Sequence, residues 1–330
     1  MTDPNRRKFL KAGGAVVVAS GAAIARTEQL AVAGGPRAVT FPADRMAALS
    51  RWPRYGTAEK QALSRMIDSG QYYQELPQFE KDWRDYTNSP FVKAHMNGSS
   101  ALTSMYFALD LEPGSEIMVP SYSFFSTCLA MRFFGYVPVF VDIDPMTACF
   151  DLEDAKRKLT PRTKAVVTLH SWGLPCEMDH IADWCREKGL ILLEDAAHAH
   201  GAEMQGKKMG TWGVMGIFSF QSSKLLPGIE GGMGMYQTRE HYERASAFGH
   251  YEAPATFPAG SPVRAYEGTG FGQKYRMHPF AAAILRPQLR ELEQHNVLAR
   301  KNVQALNDRL VQLPGLQEPH YRTDQKRVYY

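Results

Sequence analysis

Lys224 stands alone in the stretch SFQSSKLLPGIEGG, between a serine-rich approach and a glycine-rich exit, with no second cation in the segment. A lysine amine held in a turn can attack a carbonyl and then carry a proton at the same centre. Taken by itself, the residue also fits a solvated lysine at a strand end. Asp195 follows the apolar run LILLE. A carboxylate at the end of a buried strand is costly unless a cation or hydrogen-bond donors satisfy it, and an aspartate capping a nearby helix is the plainer alternative. NGSS, residues 97–100, offers backbone N–H groups, hydroxyls and a helix start, which suit an anion or a simple helix cap. His198 and His200 follow Asp195, and Phe124 lies in PSYSF.

These residues need elements to bring them together. Residues 57–69 read as a helix with Thr57 as N-cap and Gly70 as its stop, and FEKDWRDYTN as a second amphipathic helix. From residue 93 the pattern alternates. KAHMNGSSALTSMYFAL and SEIMVPSYSFFSTCLAMRFFG each read as strand, turn and helix, VPVFVDID and KAVVTLH as short strands, and MDHIADWCREKG as a helix. LILLEDAAHAHGA, VMGIFSFQSSK and GGMGMYQT complete the strand series. Strands interleaved with helices imply an α/β fold with a mostly parallel sheet covered on both faces. Ligands in such sheets gather at the carboxyl ends of the strands, where NGSS, PSYSF, EDAAH and SFQSSK all fall. Residues 278 to about 313 read as a long helix, and the final KRVYY as the first strand of a second domain.

The chain has 330 residues, 44% hydrophobic and 22% charged, which suits one large globular domain and a smaller one. Its net charge of +4 is concentrated at the N-terminus, where Arg6, Arg7, Lys8, Lys11 and Arg26 oppose only Asp3 and Glu28. The near-neutral remainder carries no basic stripe, so no nucleic-acid partner is expected. NRRKFLKAGGAVVVASGAAIA has the layout of a twin-arginine export signal. Its apolar run, Ala12 to Ala25, is shorter than the roughly 20 residues a membrane span needs, so no stable span is expected. Cleavage is expected after Ala33, with Ala25 as the alternative, and the protein is expected to be periplasmic or otherwise exported, or cytoplasmic if the signal does not function. Cys128, Cys149, Cys176 and Cys185 form no CxxC or metal-ligand pattern; a Cys176–Cys185 bridge is compatible with export.

Four segments in order, NGSSAL, PSYSF, EDAAHAHGA and SFQSSKLLPGIEGG, resemble NGTAAL, PSYTF, EDAAQ-x-xGA and SF-x-x-x-K-x-x-x-x-GEGG of the DegT/DnrJ/StrS sugar aminotransferases. The likeness covers roughly residues 40–330 and is strongest from Asn97 to Gly232. It implies a fold-type I pyridoxal-phosphate-dependent transferase: a seven-stranded, mostly parallel sheet sandwiched by helices, with a small C-terminal α/β domain only begun in this chain. The expected layout is signal peptide 1–33, large cofactor-binding domain 34–265, and long helix plus start of the small domain 266–330. By resemblance, Gly98, Ser99, Ser100 and Ser219 hold the cofactor phosphate, Phe124 stacks on its ring, Asp195 pairs with its pyridinium nitrogen, His198 lies near the ring, and Lys224 forms the Schiff base. His200 is read as structural. Ile229 replaces the first glycine of GEGG, with Gly228 beside it as a source of flexibility. GQKYRMHPFAAAILRPQL resembles a segment that reaches into the neighbouring subunit's site, where Lys274 would stand in for a phosphate-binding asparagine; a homodimer with shared sites follows.

The implied activity is ping-pong transamination from glutamate or glutamine to a keto-sugar or keto-cyclitol. A pyridoxal-phosphate sugar dehydratase or lyase is one alternative, though the dehydratase members replace the lysine with histidine. A cofactor-binding, non-catalytic or sensory homologue is another. A plain nucleotide-binding dehydrogenase is disfavoured, because no GxGxxG follows any predicted strand.

Overall fold

Short apolar runs bounded by turns become the strands of one sheet. In the computed structural model, which describes residue 29, residues 31–37 and residues 39–330, these are β1 (Phe91–His95), β2 (Glu116–Pro120), β3 (Val137–Val141), β4 (Thr163–Leu169), β5 (Ile191–Asp195), β8 (Met215–Ser219) and β9 (Gly232–Tyr236), in the order β1-β9-β8-β5-β4-β2-β3. Every neighbouring pair from β8 to β3 is parallel, and β9 runs antiparallel to both β1 and β8. The seven-stranded, mostly parallel sheet expected from the sequence is therefore present.

Alternation along the strands feeds two cores. Met118 and Val166 pack into one apolar cluster; their neighbours Ile117, Val119, Ala165 and Val167 pack into another. Both faces are covered, which is why these strands lack a polar side. Trp83 anchors the first cluster, edge-on to Phe218 at 4.9 Å and to Phe220 at 5.2 Å, with its indole N–H on Met235 Sδ. Removing such a side chain costs about 3–5 kcal/mol.

The chain divides into two units, of which the second is Trp52–Tyr330. The twin-arginine motif and its apolar run lie outside the described residues. Among the described residues, no helix is long and apolar enough to cross a membrane.

The helices of the second unit are α1 (Thr57–Ser69), α2 (Glu75–Thr87), α3 (Gly98–Ala108), α4 (Phe125–Leu129), α5 (Leu152–Lys158), α6 (Met178–Lys188), α7 (Arg239–Ala247) and α8 (Pro279–Leu310). The N-cap of α1 is Gly56 rather than Thr57, because the Glu59 carboxylate takes the Gly56 N–H at 2.6 Å. Arg286 of α8 reaches Asp82 at 2.7 Å and Glu75 at 2.8 Å on α2. Beyond α8, the strand expected at KRVYY falls earlier, at β10 (Gln325–Lys326), paired antiparallel with β6 (Glu203–Met204), which also pairs with β7 (Lys207–Lys208). The residues after β10 turn toward the sheet instead, with Val328 N–H on Gly173 O at 3.0 Å.

All four cysteines are buried free thiols, so the Cys176–Cys185 bridge is not formed. Cys176 hydrogen-bonds Leu169 O at 3.2 Å, and its thiol neighbour is Cys149.

Candidate active site

A cleft of about 620 Å³ opens where β4, β5 and β8 end and β9 begins. Asn97, Gly98, Ser99, Phe124, Asp195, His198, Ser219 and Lys224 all line it. A larger hollow of about 790 Å³ lies between residues 144–156 and 174–187 and holds neither Lys224 nor Asp195.

Asp195 ends β5 and is 2% exposed. Thr127 Oγ1 donates to its Oδ2 at 2.7 Å and the Ala197 N–H to its Oδ1 at 3.1 Å. Burial pushes its carboxyl above the usual carboxylate range, against the downward pull of these two donors and the Lys224 charge. Two donors leave acceptor capacity on a group that can take about four hydrogen bonds. A cationic N–H presented from the cleft would fill that capacity and hold the carboxylate ionised.

Lys224 follows β8 in a turn closed by its own N–H on Gln221 O at 2.8 Å. Its ammonium lies 4.3 Å from the centre of the Tyr330 ring. The loop returns through Ile229, at φ +69°, a left-handed backbone that β-branched residues rarely adopt. The position that favours glycine is therefore residue 229 itself. Gly228 is instead a packing glycine, where a Cβ would come within 2.7 Å of Leu285 Cγ.

The start of α3 forms a cradle. Asn97 Oδ1 accepts the Ser100 N–H at 2.8 Å, and the Asn97 N–H donates to Ser100 Oγ at 3.2 Å. Ser100 Oγ also donates to Asn97 O at 2.8 Å, and Ser100 does not line the cleft. Its hydroxyl is spent on the helix cap, not on the phosphate expected from the sequence. Gly98 and Ser99 do face the cleft, with Ser99 Oγ sharing a 2.8 Å hydrogen bond with Ser126 Oγ. A Cβ on Gly98 would sit 2.8 Å from Ser219 Cβ, so only glycine lets the serine hydroxyl stand against the helix start. Free N–H groups, the helix dipole and these hydroxyls suit a dianionic phosphate.

His198 is lowered to about 3 by burial and the Lys224 charge, and its buried Nδ1 has no hydrogen-bond partner. His200 is structural, as expected: its Nε2 pairs with Ser219 O at 2.9 Å and Asn296 donates to its carbonyl at 2.8 Å. Phe124 is 56% exposed and packs against Phe125 at 4.2 Å. Lys274 does not line this cleft; its nearest ring is Tyr251, at 5.9 Å.

Several contributors were not singled out in the sequence. Thr127 holds Asp195, and Tyr122, Trp172 and Tyr330 wall the cleft. A threonine inside PSYSFFST carries no spacing signal, and the aromatic wall joins three distant segments. Among the described residues, no group of three or more His, Cys, Asp or Glu side chains could hold a metal.

The residues present fit pyridoxal phosphate: an anion cradle, a buried carboxylate with acceptor capacity to spare, an unpartnered imidazole nitrogen and a lysine. A 3-amino-5-hydroxybenzoate synthase of Amycolatopsis mediterranei (strain S699) is 34% identical over 74% of this chain and 63% of its own length. An L-glutamine:scyllo-inosose aminotransferase of Streptomyces griseus is 30% identical over 91% of this chain and 72% of its own. The chain thus spans somewhat under two thirds of the first relative. The solved aminotransferase from Psychrobacter cryohalolentis has a TM-score of 0.79 at 29% identity, covering 85% of this chain and 75% of that one. Residues 53–330 match the DegT/DnrJ/EryC1/StrS aminotransferase family, and the chain belongs to it.

Proposed function

We propose that this protein is a pyridoxal-phosphate-dependent aminotransferase that moves an amino group from glutamine or glutamate to a keto-cyclitol or keto-sugar. The observation that carries it is the convergence of Lys224 and the under-satisfied, buried Asp195 on one cleft beside an anion cradle. The Streptomyces relative, named for glutamine and an inosose, supports the donor and acceptor classes.

When bound, the cofactor supplies an electron sink for the carbanion formed at the donor's α-carbon. Asp195 holds the proton on the ring nitrogen, and Thr127 and the Ala197 N–H orient the carboxylate for it. With the cofactor in place, Lys224 would take the α-proton of the donor and deliver a proton to the cofactor's C4′, across the intervening nitrogen, acting as base and then acid from one turn. His198, neutral at physiological pH, would offer its free Nδ1 as a hydrogen-bonding group rather than as a cation. Gly98, Ser99 and Ser219 fix the phosphate and so the ring's position.

The test is the visible absorption of the purified holoprotein before and after glutamine or glutamate, beside Lys224→Ala. A yellow band that bleaches with donor in the wild type, and neither forms nor bleaches normally in the variant, is expected. A band that persists with both donors would favour a binding homologue.

The proposal extends to export and assembly. The RRKFLK motif supports the twin-arginine route; replacing Arg6 and Arg7 by lysine should leave the protein in the cytoplasmic fraction. A homodimer in which Lys274 serves the partner's cradle is supported by the GQKYRMHP resemblance and by Lys274 not lining its own cleft. Lys274→Ala should weaken cofactor retention in a dimer of unchanged mass.

A further inference from the structure

Trp172 lies in the short helical turn Ser171–Gly173 at φ +52°, ψ +26°, and is 45% exposed. Left-handed backbone under a tryptophan is strained and persists where neighbours over-determine it, often at ligand sites. The neighbours here are specific. The Trp172 indole N–H donates to Tyr122 OH at 3.2 Å, and the Val328 N–H donates to Gly173 O at 3.0 Å. The ring is thereby held nearly parallel to Tyr330, at 5.8 Å and 21°, and to His198, at 5.7 Å and 29°. Tyr330 in turn stacks on His198 at 4.1 Å and stands 4.3 Å from the Lys224 ammonium. This aromatic wall flanks the Lys224 amine in the same cleft.

We propose that Trp172 and Tyr330 form a platform for the flat C–H face of an uncharged polyhydroxylated ring ketone. This deepens, and rests on, the aminotransferase reading of the cleft. Axial C–H bonds of a cyclohexane polyol or a pyranose carry partial positive charge, which suits the negative face of an aromatic ring. Equatorial hydroxyls need polar groups at the rim, and Tyr122 OH and Ser223 Oγ, the latter 2.9 Å from Tyr330 OH, stand there. An open-chain keto acid presents no such face. Charge argues in the same direction. Among the described residues lining the cleft, Lys224 is the one Lys or Arg, against Asp195 and Glu230. Within this subunit's own lining, a diphosphate-linked sugar would find no cation beyond the one serving the chemistry.

The experiment is saturation-transfer NMR on the holoprotein with scyllo-inositol, whose six C–H bonds are all axial and which cannot react. Wild type and Trp172→Phe should saturate the ring protons, whereas Trp172→Gly, which suits the left-handed backbone, and Tyr330→Leu should lower the transfer about tenfold. The cofactor band recorded on each sample reports folding independently. Equal transfer in all four proteins, or none in the wild type, overturns the platform. Displacement by an equimolar nucleoside diphosphate overturns the uncharged-ring assignment. Trp172-dependent transfer without bleaching by glutamine would keep the platform and remove the aminotransferase reading; bleaching without transfer would do the reverse.

Discussion

Glu194 and Asp195 are consecutive carboxylates at the end of one strand, both buried, and they meet opposite fates. Glu194 Oε2 accepts from the Gly210 N–H at 2.7 Å and pairs with His170 Nε2 at 3.0 Å, while Oε1 accepts the Gly213 N–H at 2.7 Å. His170 Nδ1 accepts the Cys176 N–H at 3.2 Å, so its Nε2 carries the proton and donates to Glu194. The protein itself supplies three donors to this carboxylate. Asp195, one residue on and therefore on the other face of the strand, receives two and opens on the cleft. Burial alone does not mark a functional carboxylate. The two differ in the donors that the protein supplies, three against two, and in which of them faces the cleft.

The contrast can be broken from the Asp195 side first. Asp195→Ala should lower amine transfer by about 10²–10³-fold, as for loss of a preorganised electrostatic partner, while urea unfolding shows a smaller stability loss than Glu194→Ala, because two donors rather than three are stranded. Glu194→Ala should do the converse, costing about 3 kcal/mol in the same unfolding experiment by stranding His170 and two buried N–H groups. Equal stability losses in the two variants would erase the distinction.

Thr127→Val removes one donor from Asp195 and should slow amine transfer about tenfold, in line with a hydrogen bond to a charged group. Smaller still is a pH effect on the core side. Burial lowers His200 to about 3, so the folded state keeps it neutral while the unfolded chain protonates near its ordinary value. The unfolded state then binds more protons between those limits, and stability falls as pH drops below about 6.5, by about 1.4 kcal/mol per pH unit. Burial lowers His95, His198 and His250 as well, and they add to the same slope, so His200→Gln should remove only its own share in urea titrations at pH 7 and pH 5. Ile229→Gly relieves the left-handed strain and should raise stability by about 1 kcal/mol, read as a higher thermal midpoint.

The same comparison shows what was legible in the sequence. Lys224, Asp195 and Gly98 were readable because each falls where a strand gives way to a loop, and a parallel sheet collects those points. Ser100 was misplaced because a capping serine and a phosphate-binding serine look alike until the Asn97 cap geometry is seen. Thr127 and the Glu194 donors were invisible because donor count is a property of packing between segments. Trp172 and Tyr330 meet through backbone pairing across more than 150 residues, which no local period encodes.

The most direct measurement is the single-turnover rate at which glutamine bleaches the cofactor band in Asp195→Asn and in Glu194→Gln, each loaded to the same occupancy. The expected result is a rate reduced at least a hundredfold in Asp195→Asn and within about threefold of wild type in Glu194→Gln. Bleaching of Asp195→Asn at the wild-type rate would contradict the role given to that carboxylate and, with it, the chemistry assigned to the cleft.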